Sequence, residues 1–142
     1  MVPTLRGLAL VLAAIALTAC DTLVEVDSRA EGVRIALERE AYAPGDTLSA
    51  RLVNDSGVEL GYNFCITTLL RREGGGWVVA DVPLALCTAE LRPLRPGDSV
   101  ALLREIPARL ESGEYRLRAT VLVPLDGGGR AVVDSGSFRV QQ

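Results

Sequence analysis

Tyr115-Arg-Leu-Arg-Ala-Thr-Val-Leu-Val123 places an apolar side chain at every second position. Successive side chains of an extended chain point to opposite faces. Tyr115, Leu117, Ala119, Val121 and Val123 therefore share one face, and Arg116, Arg118 and Thr120 share the other. A strand with one apolar and one wet face belongs to an antiparallel sheet, because buried parallel strands read as continuous apolar runs. The same period governs Val33, Ile35 and Leu37, then Leu48, Ala50 and Leu52, then Val58, Leu60, Tyr62 and Phe64. No segment carries a 3.6-residue period. About 7–8 short strands at this spacing predict an all-β, antiparallel β-sandwich.

The intervals between the runs carry turn chemistry. Ala43-Pro-Gly-Asp46 and Arg95-Pro-Gly-Asp98 put Pro and Gly where a type II turn wants a fixed φ and then a positive one. Each precedes a strand-like stretch. Asn54-Asp-Ser-Gly57 is another turn. Glu73-Gly-Gly-Gly76 and Asp126-Gly-Gly-Gly129 read as hairpin loops between apolar runs.

Tyr42-Ala-Pro-Gly-Asp46, Leu52-Val-Asn54, Tyr62-Asn-Phe-Cys65, Leu94-Arg-Pro-Gly-Asp98 and Leu110-Glu-Ser-Gly-Glu-Tyr-Arg-Leu117 follow one another in an order similar to bacterial immunoglobulin-like domains. These include domains related to the intracellular proteinase inhibitor family. The resemblance spans roughly Val33 to Val140 and implies an immunoglobulin-like β-sandwich. Gly113-Glu-Tyr115, entering a long alternating strand, resembles a tyrosine corner, in which the phenol bonds back to upstream backbone. An ordinary half-buried tyrosine is the alternative for Tyr115.

The other end of the chain gives an address. Arg6 precedes an apolar run from Leu8 to Leu17, and Leu17-Thr-Ala-Cys20 closes it. The run is far shorter than the roughly 20 residues a spanning helix needs. Basic start, short apolar core and small-residue cleavage site fit a signal peptide. The closing tetrapeptide resembles the bacterial lipobox, which implies a diacylglycerol thioether on Cys20 and acyl chains of the palmitate type. The chain then divides into a signal peptide (1–19), a lipidated N-terminus and tether (20–32), and one sandwich domain (33–142). The expected location is the bacterial cell envelope, with the membrane contacted through the N-terminal lipid.

Cys65 and Cys87 remain, an even pair in an exported chain, where a disulfide is permitted. It would contribute roughly 3 kcal/mol on the chain-entropy model. Two buried free thiols are the alternative. A metal site is disfavoured, since zinc normally takes four N or S ligands and the chain has no His. From Val58 to Phe64 the even positions are apolar. Cys65 is odd, so a bond there predicts a strand end or a bulge.

Composition narrows the chemistry. All 15 basic residues are Arg, against 18 acids. No clustered basic surface invites nucleic acid. Without His or Lys, neither a Ser-His-Asp nor a Ser-Lys centre can be built, nor a Walker A phosphate loop. No cofactor motif is present. Carboxylates are the only abundant catalytic type. Glu111 and Glu114 flank a turn, and Glu38 and Glu40 are read as sharing a strand face. Both pairs are read as solvated surface, and Asp126 and Asp134 lack calcium-loop spacing. Arg71, Arg72, Arg92, Arg95, Arg104, Arg116 and Arg118 are read as a dispersed, solubilising set. The expectation is a non-enzymatic module with no catalytic residues and no metal or cofactor. It would bind a protein partner or act as a scaffold, with Arg92-Pro-Leu-Arg-Pro96 and the loop at Asp126–Gly129 as contact regions. The alternatives are an envelope proteinase inhibitor and a carbohydrate-binding module, the latter resting on Trp77 and a few tyrosines.

Overall fold

A computed structural model describes residues 30–83 and 87–142. The proposed signal peptide, Cys20 and most of the tether lie outside the described residues. Ten strands follow in chain order: β1 (Val33–Leu37), β2 (Ala41–Tyr42), β3 (Thr47–Asn54), β4 (Leu60–Glu73), β5 (Gly76–Asp81), β6 (Arg92–Leu94), β7 (Ser99–Glu105), β8 (Gly113–Val123), β9 (Gly129–Asp134) and β10 (Phe138–Val140). There is no α-helix among the described residues.

The strands form two sheets. One is β1-β3-β7; the other is β2-β10-β8-β4-β5, with β6 beside β4 and β9 beside β8. Every ladder is antiparallel except the short β2–β10 pair and an isolated bridge from Ile35 to Ser135. The molecule is an all-β sandwich with the two-sheet partition of an immunoglobulin-type fold. Ten strands replace the expected 7–8 because two runs are interrupted. The first breaks at Glu38–Glu40, where the chain leaves β1 for β2 in the opposite sheet. The last breaks at Ser135–Ser137, between β9 and β10. Glu38 and Glu40 therefore do not share a strand face: both are exposed in a bend.

The alternation in β8 works as the sequence dictates. Tyr115, Leu117, Ala119, Val121 and Val123 are all buried, facing Leu48, Ala50, Leu52 and Leu102 of the smaller sheet in one core. The two Pro-Gly-Asp turns are type II in geometry. Gly45 and Gly97 have φ of 88° and 83°, and the Asp46 and Asp98 amides donate to the Ala43 and Arg95 carbonyls. They lie at opposite ends of the same antiparallel pair. One leads into β3, and its Gly45 amide donates to the Ile106 carbonyl beyond the end of β7. The other leads into β7, and its Gly97 amide donates to the Asn54 carbonyl at the end of β3. Asn54 is itself fully buried and ties this end together, its amide donating to the Val58 and Leu94 carbonyls at 2.9 Å each.

Candidate functional site

The least regular part of the sandwich is the middle of β4. Tyr62 pairs with Val121 of β8, but the next β4 residue in register is Thr67, opposite Ala119. Residues 63–66 thus face Thr120 alone, a bulge of four residues against one. On its other edge β4 pairs with β6 at Leu60–Tyr62 and with β5 from Leu69 onward, so 63–66 have no ladder partner on either side among the described residues. The bulge also reverses the phase of the strand. Leu60 and Tyr62 point to the core before it, and Thr67 and Leu69 after it. Bulges re-aim side chains and recur beside functional sites.

Here the re-aimed residues are held by the connection between β5 and β6. The Cys65 and Cys87 sulfurs are bonded, with the Cα atoms 5.5 Å apart. Asn63 Nδ2 donates to the Thr88 carbonyl at 2.6 Å, while its Oδ1 accepts from the Cys65 amide at 2.9 Å. Unlike a core inter-sheet bridge, this disulfide pins a loop to a bulge, and Cys87 is exposed. Between the two segments opens a cleft of about 230 Å³ lined by Tyr62, Asn63, Phe64, Cys65, Thr88, Glu90 and Arg92. The Tyr62 and Phe64 rings lie 4.7 Å apart in it.

An apolar rim runs along the same edge. Ile66 is 58% exposed in the bulge, and Val79 of edge strand β5 is 63% exposed. Val82 and Leu91, at the two ends of the β5–β6 connection, are exposed as well. Arg92 to Leu94 form β6 against β4, with Leu94 buried and Arg92 on the cleft.

The arginines are less dispersed than their spacing suggests. Asp81, buried at the end of β5, accepts from both Arg104 of β7 and Arg109, an ion-pair cluster linking the two sheets. Arg118 makes a two-pronged contact with Asp134 at 2.6 and 2.8 Å, which raises the guanidinium pKa and leaves Asp134 engaged as a partner of arginine. Arg71 bonds Glu111 at 2.5 Å, so Glu111 and Glu114 do not act as a free acid pair. Arg72 and Arg116 both lie on the Trp77 indole, at 5.4 and 4.3 Å from the ring centroid. Cation–π contacts of this kind occupy the ring that a sugar platform would use. No group of three or more His, Cys, Asp or Glu able to hold a metal occurs among the described residues.

Tyr115 is 1% exposed, and its hydroxyl donates to the Glu111 carbonyl at 2.7 Å, four residues upstream. That is the geometry of a tyrosine corner at the entry to β8. Burial raises the phenol pKa, with Arg71 nearby pulling the other way. Sequence reasoning missed Asn63, Phe64, Thr88 and Glu90 as a group. The one signal for them was the odd position of Cys65 in an even-phase apolar run.

No family model matches the chain, and no curated protein matches it. Among solved structures it is similar to part of the Pseudomonas fluorescens alkylpurine DNA glycosylase AlkC, bound to DNA containing an abasic site analog. The identity is 14% and the TM-score 0.38, over 78% of this chain and 31% of that one. It is also similar to part of a beta-glucosidase from Listeria innocua in complex with gluconolactone. There the identity is 14% and the TM-score 0.30, over 77% of this chain and 17% of that one. The chain spans less than a third of the length of either.

Proposed function

We propose that this protein is a non-enzymatic binding module of the bacterial cell envelope, anchored by lipid on Cys20, that engages a protein partner through the β4–β5 edge. The observation that carries the reading is the apolar rim. Ile66, Val79, Val82 and Leu91 are exposed along one sheet edge, where the outer side of β5 has no neighbouring strand among the described residues. Open edges of this kind accept a strand from a partner, with main-chain bonds giving affinity and alternate side chains giving specificity. β5 contributes Gly76-Trp-Val-Val-Ala-Asp81, whose one charge, Asp81, is already turned inward to Arg104 and Arg109. Within β5 itself there is no other charge and no proline.

The test is site-specific photo-crosslinking in intact cells. A photoreactive residue at Val79 is expected to trap a discrete protein adduct, and the same residue at Arg51, exposed on the smaller sheet, is not. An identical adduct pattern from both positions, or none from Val79, would defeat the reading.

A further inference from the structure

The bulge cleft has a chemistry of its own, separate from the apolar rim. Glu90 and Arg92 both line it. They flank Leu91, so in an extended segment they project to the same side. Among the described residues neither has an ion-pair or hydrogen-bond partner. The Tyr62 hydroxyl has no hydrogen-bond partner among the described residues either. A carboxylate and a guanidinium without partners therefore line the cleft beside a tilted pair of aromatic rings.

The size is also selective. About 230 Å³ is smaller than the roughly 300–1,000 Å³ that houses a drug-sized ligand. It leaves room for one small molecule with a single apolar group. The two walls are tied to each other before anything binds: the Cys65–Cys87 disulfide and the Asn63–Thr88 bond both join the bulge to the start of the loop segment. A site that needs no ordering on binding keeps more of its contact energy as affinity.

We infer that this cleft binds a small zwitterion of the α-amino acid class. Its ammonium group meets Glu90, its carboxylate meets Arg92, and an apolar or aromatic side chain lies against Tyr62 and Phe64. Charge-assisted contacts at both ends would fix the orientation of the ligand, and the ring pair would select its side chain. Both charged residues are exposed, so pairing them with a ligand removes little hydration and each contact is weak. The inference goes beyond the protein-binding reading and does not depend on it.

The experiment titrates the full chain in detergent micelles with three probes, following backbone amide shifts by NMR. L-phenylalanine is expected to give saturable shifts at residues 62–65 and 88–92. N-acetyl-L-phenylalaninamide keeps the ring but loses both charges, and binds at least about tenfold more weakly. L-aspartate keeps the zwitterion but loses the apolar group, and is weaker as well. Arg92→Ala and Glu90→Gln, both at exposed positions that leave the core intact, each weaken L-phenylalanine by about tenfold. Equal affinity for the charged and neutral probes overturns the inference. So does equal affinity for L-aspartate, absence of a saturable response, or shifts confined to β5. None of these results alters the crosslinking outcome at Val79, so the two readings fail separately.

Discussion

Tyr115→Phe removes one hydroxyl and leaves everything else in place. The ring is 1% exposed and stacks on Phe138 with the centroids 6.1 Å apart, so its packing survives. What disappears is the 2.7 Å bond to the Glu111 carbonyl. A net intramolecular hydrogen bond is worth about 1 kcal/mol, rising to about 3 kcal/mol where the abandoned partner is stranded away from water. Glu111 is an exposed residue and the bond is only part-buried, so the vacated carbonyl lies near the surface. The structure thus places the loss at the low end, about 1 kcal/mol, or a fall in Tm of roughly 4–8 °C for a domain near this size. Urea unfolding followed by tryptophan fluorescence reads it, because Trp77 is the one tryptophan. Alkaline pH supplies a second arm. Burial raises the Tyr115 phenol above its ordinary value of 10.0. The folded state then holds the proton more tightly than the unfolded one. The resulting stability is fully present below the ordinary value and is lost as pH rises through the raised one. Wild type therefore loses stability above about pH 10 more steeply than Tyr115→Phe. A midpoint equal to wild type at neutral pH would refute the corner as a source of stability. Parallel pH profiles above pH 10 would refute burial as the cause of the shift.

Further expectations concern the covalent and ionic ties. Replacing Cys65 and Cys87 together by Ser should cost about 3 kcal/mol by the loop-entropy relation for a separation of 22 residues. Non-reducing mass spectrometry should find no free thiol at either position in the wild-type protein. Asp81→Ala strands Arg104, whose side chain is only 15% exposed, and should cost about 3–5 kcal/mol. Arg109→Ala removes the 63% exposed partner of the same carboxylate and should cost under about 1 kcal/mol; equal losses in denaturant melts would contradict this ordering. Cys20→Ala should move the protein from the detergent phase to the aqueous phase on partitioning, since stable anchoring takes two acyl chains. Retention in the detergent phase would rule out the lipid anchor.

The parts of the fold legible in the sequence are those specified by neighbours along the chain. β8 is read correctly from end to end because its period never slips, and both Pro-Gly-Asp turns adopt the conformation their residue types require. β4 is legible only up to Tyr62. Its inward positions change from even to odd across residues 63–66. A period count cannot see such a change, because a bulge costs no particular residue type. Cys65 hinted at it only because a bonded cysteine had no reason to face away from the apolar side. The cluster of Asp81 with Arg104 and Arg109 was illegible for another reason. It joins residues more than 20 positions apart across two sheets, and nothing local distinguishes Asp81 from a solvated carboxylate. The cleft is a product of both effects: a phase slip no pattern reveals and a loop whose path is set by tertiary contacts.

The bond between the bulge and its loop also bears on how fast the sandwich assembles. The smaller sheet requires Val53 to find Ser99 and Thr47 to find Glu105, so its central ladder closes only after a long excursion of chain. Non-local pairings of this kind slow folding, because closure entropy is lost before contacts repay it. Cys65 and Cys87 both lie inside that excursion. Once they are joined, the path from Val53 to Ser99 runs across the bridge and is roughly halved. Halving a loop lowers its closure cost by about 0.6 kcal/mol, close to a threefold gain in rate if β3 and β7 meet in the transition state. Oxidation before folding would then accelerate formation of the sheet that contains neither cysteine.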